Sequence, residues 1–252
     1  MIKKLNYVWL GGAIPASVES CLRSWKKNCL EWEIVQWDET NFDINKFRWV
    51  REAIAQNKYA FAADFIRLYI LYNYGGVYID TDVEIRKDIS PSIVDSFVTG
   101  IEDTHAGTSY MNDVSEDGIK RSTGDMCSGF CIQAGFMYAE RKHPFIARCM
   151  ESLYDNGNRP FLNPDGSHNG FVIDQKMFEL LREDGIKYID KSQSLRNNIF
   201  IHDSSVYATR KTKNRDSFVI HWYDQSWKDN DHILMILKKL IKRYFFFLYR
   251  LQ

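Results

Sequence analysis

Two aspartates separated by a single threonine stand at the end of a short apolar run in this 252-residue chain. Asp80 and Asp82 follow the run Val77-Tyr78-Ile79, which itself follows a Gly-Gly pair. Buried carboxylates are costly unless a cation or hydrogen-bond donors satisfy them. Two carboxylates at one strand end also offer the hard oxygen ligands that Mg²⁺ and Mn²⁺ prefer. The pattern therefore indicates either an exposed turn or a divalent-metal site, and by itself a D-x-D spacing is a weak signal.

A cation held by such a pair would suit the departure of a nucleoside diphosphate from a sugar. The diphosphate leaves poorly until its negative charge is neutralised, and a metal ion supplies that charge directly. Because the two aspartates share an orientation along the strand, their carboxylates would lie near one spot. The rest of the sequence has to support or reject this hypothesis.

A helix and a short strand are predicted to position these carboxylates. Over residues 58–76, apolar positions recur at intervals of three and four, and a Gly-Gly pair ends the pattern. Asp64 and Arg67 are three residues apart, so both project from one helical face. They are either part of the site or an ordinary ion pair within the helix.

Alternating elements precede that helix. A strand is predicted over 5–12, a helix after Pro15, a strand over 32–37 and a helix over roughly 44–57. Strand–helix alternation of this kind predicts an α/β fold with a central, mainly parallel sheet flanked by helices.

Downstream segments are less regular. Loops rich in small and polar residues are predicted over 102–128 and 163–170, and the length of the first is typical of a functional or mobile loop. A strand-like segment covers 129–139. Helices are predicted from Pro144 and over 174–183, and short strands near 186–189, 199–202 and 217–221.

Composition excludes some classes of protein. Formal net charge is zero, and the body is mildly acidic, which argues against nucleic-acid binding. The five cysteines are an odd number in a mid-sized chain, as in a reducing cytosol. We expect no secretory leader at the N-terminus and no stretch of 18 or more apolar residues that would span a membrane.

The last 21 residues have a distinct pattern. Apolar residues of 232–252 recur at helical spacing, five basic residues group on the other side, and no acid occurs from Ile233 onward. This pattern predicts a basic amphipathic helix that lies on an anionic membrane surface, or one that packs on protein. We therefore expect a catalytic domain over 1–231 and a tail helix over 232–252.

Four sequence blocks, in order, resemble glycosyltransferase family 32, the D-x-D-containing capsule and polysaccharide sugar transferases. More distantly, they are similar to the catalytic domains of the large glucosylating toxins. The second block resembles the family over some twenty consecutive positions, from the helix to the D-x-D pair. The blocks are NYVWLGG (6–12), AADFIRLYILYNYGGVYIDTDV (62–83), AERKHPF (139–145) and IHWYDQSW (220–227).

The resemblance implies a GT-A-like nucleotide-binding domain and assigns roles to individual residues. Trp9 would stack on the base, and Asp64 would hydrogen-bond sugar or ribose hydroxyls. The donor-binding set it implies is Trp9, Asp64, Arg67, Tyr78, Asp80, Ser226 and Trp227. The catalytic set is Asp80, Asp82 and Arg67, and the metal ligands for Mn²⁺ or Mg²⁺ are Asp80, Asp82 and His221.

The implied reaction is retaining transfer of a sugar from a nucleotide-sugar, UDP-linked by preference or GDP-linked, to a hydroxyl group. The acceptor would be a polysaccharide or a lipid-linked oligosaccharide of bacterial surface-glycan synthesis. The protein would be cytoplasmic and peripheral at the inner face of the cell membrane, with no nucleic acid among its partners.

Some residues depart from the family pattern, and other interpretations stay open. Gln133 or Ala134 stands near the position of a family asparagine, so one donor contact is expected to be replaced or absent. Trp9 and His221 are also compatible with core positions. The alternatives in function are an aspartate-nucleophile phosphatase of the haloacid-dehalogenase type and a non-catalytic sugar-binding partner in a polysaccharide assembly.

Overall fold

The computed structural model describes residues 1–103, 114–121 and 129–223 of the chain. Residues Met1–Trp222 form one compact unit. The predicted tail helix over 232–252, the donor residues Ser226 and Trp227, and most of the predicted loop over 102–128 lie outside the described residues. Within the ranges that the structure describes, no helix is long and apolar enough to cross a membrane.

Strands and helices alternate in the first part of the chain, as the sequence predicts, and shorter strands dominate the second. The helices are α1 (Ala16–Asn28), α2 (Arg48–Ala55), α3 (Tyr59–Tyr74), α4 (Pro144–Tyr154) and α5 (Ile173–Leu181). The strands are β1 (Lys4–Val8), β2 (Glu33–Trp37), β3 (Gly76–Ile79), β4 (Val83–Ile85), β5 (Phe97–Asp103), β6 (Phe130–Ile132), β7 (Phe136–Ala139), β8 (Gln193–Leu195), β9 (Ile199–His202), β10 (Tyr207–Thr209) and β11 (Val219–His221).

The main sheet has the strand order β2-β1-β3-β7-β5-β9-β8, and β6 pairs with β5 beside this path. The predicted parallel pairing holds for β2, β1 and β3 and again for β5 and β9. However, β7 is antiparallel to both of its neighbours, β3 and β5, and β8 is antiparallel to β9. The α/β class with a central sheet is confirmed, and the sheet is mixed rather than mainly parallel.

Helices cover both faces of this sheet, and the side chains of β3 alternate between the two faces. Tyr78 of β3 belongs to the apolar core that contains α2, α3, α4 and α5. Val77 and Ile79 belong instead to the core on the α1 side. A strand buried on both faces reads as a continuous apolar run, and the run before the two aspartates is therefore a central strand.

Two consecutive glycines connect α3 to β3. Gly75 has a positive φ of 69° and its N–H donates to the carbonyl of Leu71, which ends the helix. Gly76 also has a positive φ, and a Cβ there would lie 2.6 Å from the carbonyl oxygen of Lys4 on β1. The pair lets the chain reverse sharply and enter the sheet against β1. Both glycines therefore fix the point at which β3 begins.

A second, three-stranded sheet has the order β10-β11-β4. Strand β11 runs antiparallel to β4, with His221 opposite Val83 and Val219 opposite Ile85. Since Val83 directly follows Asp82, this register brings His221 to the D-x-D turn. A residue far away in sequence thus reaches the two aspartates through strand pairing.

Several predicted elements differ from those of the structure, and β1 ends at Val8 rather than continuing to residue 12. Residues 186–189 are not a strand, and the strand lies instead at Gln193–Leu195. Glu102 and Asp103, which were predicted to begin a loop, are instead the last residues of β5 and pair with β6. The segment 129–139 is interrupted at Gln133, Ala134 and Gly135, which we call the 133–135 break.

Candidate functional site

Backbone hydrogen bonds on both sides hold the D-x-D turn. The N–H of Asp80 donates to the carbonyl of Gly135 at 2.8 Å, and the N–H of Val83 donates back to the carbonyl of Asp80 at 3.0 Å. The carbonyl of Asp82 accepts the N–H of Trp222 at 3.0 Å. The turn is thereby fixed to the 133–135 break on one side and to the end of β11 on the other.

Three side chains converge at this turn. One oxygen of Asp80, one oxygen of Asp82 and one ring nitrogen of His221 lie within 4.8 Å of one another. His221 Nε2 lies 3.2 Å from Asp82 Oδ1. Two carboxylates and one imidazole at such separations are a suitable ligand set for a divalent transition metal. The structure therefore brings together all three residues that the sequence resemblance assigns to the metal.

The imidazole of His221 is held in its charged form by the acids around it. Burial by itself lowers the pKa of His221, but the hydrogen-bonded carboxylate of Asp82, with Glu102 and Asp80 nearby, raises it to about 9. The Asp82 carboxylate therefore favours a proton on the imidazole where no metal ion is bound. A metal ion has to displace such a proton in order to bind nitrogen.

Arg67 forms a cationic centre beside the turn. Its guanidinium lies 2.7 Å from Asp64 Oδ1 and 3.5 Å from Asp80 Oδ1, and it donates to the carbonyl of Ala134 at 2.9 Å. The same group lies over the ring of Tyr78, 4.8 Å from the ring centre. Burial would lower the pKa of Arg67, but its acidic neighbours outweigh that and raise it. The predicted face shared by Asp64 and Arg67 is thus directed at the site.

Tyr78 connects the same group of residues from the strand side. Its hydroxyl donates to Asp80 Oδ1 at 2.8 Å, so Asp80 receives contacts from both Tyr78 and Arg67. Burial raises the pKa of Tyr78 and keeps the phenol protonated as a donor. One oxygen of Asp80 is therefore oriented by protein groups.

Asp174 belongs to this cluster, although the sequence analysis did not select it. Its carboxylate accepts the N–H of Ala134 at 3.0 Å from the first turn of α5. Burial is the main cause that raises the pKa of Asp174, and burial also raises the pKa of Asp64 to about 7 against the opposing effect of Arg67. Several carboxylates thus share one buried cation.

The 133–135 break is the second feature that sequence reasoning missed. It supplies the carbonyl of Ala134 to Arg67, the carbonyl of Gly135 to Asp80, and the side chain of Gln133 to His221. A Cβ at Gly135 would lie 2.9 Å from Asp80 Oδ2, 3.2 Å from His221 Cε1 and 3.3 Å from Gln133 Oε1. Only glycine leaves room for these three groups to meet.

We expect Gly135→Ala to weaken Mn²⁺ binding by about 10-fold or more, since ligand-supporting groups typically have effects of 10- to 100-fold. The added methyl pushes against Asp80 and His221, and Gly135 has no positive φ to strain. Calorimetric titration with Mn²⁺ and thermal unfolding measure the two effects separately. Gly166→Ala is the control, because Gly166 has a positive φ and an added Cβ there would have no neighbour within 4 Å. It should lower stability and keep the metal affinity, and wild-type affinity in Gly135→Ala would contradict the crowding argument.

Trp9 lies on the loop after β1, at the same end of the sheet. Its side chain is partly buried against the α1-side core, and its indole N–H donates to the carbonyl of Gly12 at 2.8 Å. Gly11 and Gly12 both have positive φ, and the N–H of Gly11 donates to Glu39. The loop is therefore a glycine turn fixed by the tryptophan, which is compatible with either of the two roles expected for Trp9.

Paired aspartates at the end of a central strand and a buried arginine beside them form one cluster in this α/β sheet. Residues 15–99 match the family model described as the glycosyltransferase sugar-binding region containing the DXD motif. The matched region contains Asp64, Arg67, Asp80 and Asp82, whereas the 133–135 break lies beyond it. This match supports the glycosyltransferase class that the sequence resemblance implied.

Solved structures of glycosyltransferases are similar to the chain at low identity. The PaToxG glycosyltransferase has 16% identity, covers 73% of this chain and 68% of its own, and gives a TM-score of 0.45. A glycosyltransferase involved in glycosylation of the major capsid of PBCV-1 has 12% identity, with 86% and 92% covered and a TM-score of 0.43. The galactosyltransferase LgtC, solved with donor and acceptor sugar analogs, has 11% identity, with 88% and 87% covered and a TM-score of 0.44. No curated protein matches the chain.

Proposed function

We propose that this protein is a metal-dependent, retaining glycosyltransferase of the family 32 type. It would move a sugar from a nucleotide-sugar, UDP-linked by preference or GDP-linked, to a hydroxyl group of a glycan. The single observation that carries the proposal is the convergence of Asp80, Asp82 and His221 at the end of a buried strand, with the cation of Arg67 beside them. Neither an exposed turn nor a helix-surface ion pair accounts for this arrangement.

The residues present fit a divalent cation. Asp80 and Asp82 supply hard oxygen atoms, and His221 supplies one nitrogen, a mixture that favours Mn²⁺ over Mg²⁺. When bound, the cation would neutralise charge on the departing diphosphate. Tyr78 and Arg67 orient one oxygen of Asp80, so this carboxylate is preorganised for ligand binding.

Two buried donors support a ligand rich in oxygen atoms. Among the described residues, seven buried side-chain polar atoms have no hydrogen-bond partner, and Arg67 Nε and Gln133 Nε2 are two of them. Buried donors without acceptors are rare in proteins and call for an explanation. Phosphate and hydroxyl oxygens of a nucleotide-sugar would satisfy both. In this proposal, Arg67 stabilises negative charge as the diphosphate leaves, because a fixed cation in a buried site acts without reorganisation.

Further donor contacts follow from the sequence resemblance. Trp9 would stack on the base, Asp64 would bind sugar or ribose hydroxyls, and Tyr78 would line the pocket. Ser226 and Trp227, which lie outside the described residues, would contact the diphosphate. Retention at the anomeric carbon is likewise an expectation from the resemblance. The resemblance assigns no separate catalytic base to this chain.

The acceptor and the location are proposals from the sequence alone. A polysaccharide or lipid-linked oligosaccharide of a bacterial surface glycan would fit a cytoplasmic enzyme held at the inner face of the membrane. The basic amphipathic pattern of residues 232–252 would provide that attachment through anionic lipids. In this scheme the tail confines the enzyme near its acceptor.

The test is a panel of UDP- and GDP-sugars incubated with the protein and Mn²⁺, followed by measurement of released nucleoside diphosphate. We expect release from one donor that depends on the metal and stops when a chelator is added. Turnover of p-nitrophenyl phosphate without any nucleotide-sugar activity would favour the phosphatase alternative. Donor binding without turnover in the presence of acceptor glycans would favour a sugar-binding partner.

A further inference from the structure

We propose that Gln133 is a positioning residue, which fixes the ring of His221 so that Nε2 is the nitrogen presented to the metal. This inference rests on the proposed metal-dependent function and names a residue that supports the site without touching the cation.

The backbone of Gln133 is anchored on both sides. Its N–H donates to the carbonyl of Gly100 on β5 at 2.8 Å, and its carbonyl accepts the hydroxyl of Thr99 at 2.7 Å. The residue is completely buried. A side chain that starts from a fixed backbone in a packed interior has few rotamers available. Its amide is therefore held where it lies.

The amide of Gln133 faces the far side of the His221 ring. Its Oε1 lies 3.0 Å from His221 Nδ1, while His221 Nε2 lies 3.2 Å from Asp82 Oδ1. An amide oxygen only accepts hydrogen bonds, so Nδ1 carries a proton in this contact. Nε2, on the side of the two aspartates, is then the ring nitrogen that can offer a lone pair to a metal ion. Gln133 thus selects the tautomer that a metal ion requires.

The opposite orientation of the amide would work against the site. With the NH₂ group turned toward the ring, Nδ1 would have to accept, and Nε2 would carry the proton. Gln133 Nε2 has no acceptor among the described residues, so no hydrogen bond of the NH₂ group opposes the orientation in which Oε1 faces His221. The acids near His221 include Asp82, Glu102, Asp80 and Asp174, and Asp82 is hydrogen-bonded at Nε2. The two ring nitrogens of His221 therefore have different partners, Gln133 at Nδ1 and Asp82 at Nε2.

Second-sphere contacts of this kind matter because a metal-bound histidine commonly donates its other N–H to an oxygen acceptor. That acceptor fixes the ring and makes the ligating nitrogen more basic. Asparagine at position 133 would be one methylene shorter, and the contact to Nδ1 would lengthen. The glutamine, which departs from the expected asparagine, is thus suited to reach the histidine.

The experiment compares Gln133→Met, which keeps the length and removes the acceptor, with Gln133→Glu, which keeps an acceptor. Calorimetric titration of the nucleotide-free protein measures the affinity for Mn²⁺. We expect Gln133→Met to bind Mn²⁺ about 10- to 100-fold more weakly, and Gln133→Glu to lie closer to the wild type. Each variant is also made in a His221→Ala background, where Gln133→Met should cause no further loss.

A spectroscopic arm separates positioning from a merely structural role. In the ¹⁵N–¹H long-range spectrum of the Zn²⁺-loaded protein, we expect His221 to be protonated at Nδ1 and bound to metal through Nε2. Metal on Nδ1, equal affinities of Gln133→Met and wild type, or the same loss in both backgrounds would each overturn the inference. All three outcomes leave the metal-dependent function in place, whereas a wild-type protein that binds neither Mn²⁺ nor Zn²⁺ would overturn both.

Discussion

Asp82→Asn is expected to lose metal-dependent release of nucleoside diphosphate by about 100-fold or more while the protein stays folded. A metal ion contributes several kcal/mol of charge stabilisation in the transition state, and about 1.4 kcal/mol corresponds to a factor of ten in rate. The amide retains the size of the carboxylate but removes its charge, which weakens Mn²⁺ binding and leaves a neutral group in place of the anion 3.2 Å from His221 Nε2. Donor hydrolysis measured over a range of Mn²⁺ concentrations checks the prediction.

The design of that experiment has to separate a lost ligand from a damaged fold. The carbonyl of Asp82, which accepts the N–H of Trp222, is unchanged by the substitution, so the end of β11 stays attached. Asp216→Asn serves as the matched control, because Asp216 is an exposed aspartate in the segment just before β11. It should leave both the unfolding midpoint and the rate unchanged. Full activity of Asp82→Asn at low Mn²⁺ concentration would remove Asp82 from the metal site.

Local spacing explains why one half of the site could be predicted from the sequence. Asp80 and Asp82 follow one strand, and Asp64 and Arg67 share one turn of helix, so strand and helix geometry alone place each pair together. The glycines that end α3 and the apolar run of β3 were equally readable. These features depend on neighbours within a few residues, which is the range over which sequence patterns carry structural information.

The other half depends on contacts between distant segments. His221 was proposed only through the family resemblance, and it reaches Asp82 because β11 pairs with β4. Asp174 is an acid in the first turn of a helix, a position where acids are ordinary, and nothing local connects it to Arg67. Gly135 and Gln133 lie in a segment that reads as one continuous strand, so its interruption was invisible.

Strand direction was the corresponding error at the level of the fold. Apolar runs indicate that a strand exists and is buried, and they are typical of parallel strands, so the antiparallel direction of β7 was not expected. The break between β6 and β7 keeps both strands antiparallel to β5, and β7 then lies between β3 and β5 in the opposite sense. This arrangement brings the 133–135 break to the end of β3, so the mixed sheet is itself what completes the site.

Arg67→Met is expected to lower the free energy of unfolding by about 3–5 kcal/mol, the usual consequence of removing one partner from a buried ion pair. The substitution would leave Asp64 and Asp80 without their cation, and it would remove the donor to the carbonyl of Ala134. Chemical denaturation monitored by fluorescence measures the loss. Arg23→Met is the control, because Arg23 and Glu19 form an ion pair on the exposed surface, and such pairs contribute at most about 1 kcal/mol.

A second substitution and a change of pH test the cause. Asp64→Asn in the Arg67→Met background should recover part of the lost stability, because one uncompensated carboxylate disappears.

Arg67 lowers the pKa of Asp64 in the wild type, so its removal raises the folded-state pKa of that carboxyl further above the unfolded value. A carboxyl group whose pKa is raised in the folded state lowers the stability of that state more and more as the pH rises toward the raised value. Because the pKa of Asp64 is higher in Arg67→Met, the loss of stability in this variant should be larger at pH 8 than at pH 5. A deficit independent of pH, with no recovery from Asp64→Asn, would mean that Arg67 acts through packing rather than by balancing the acids of the site.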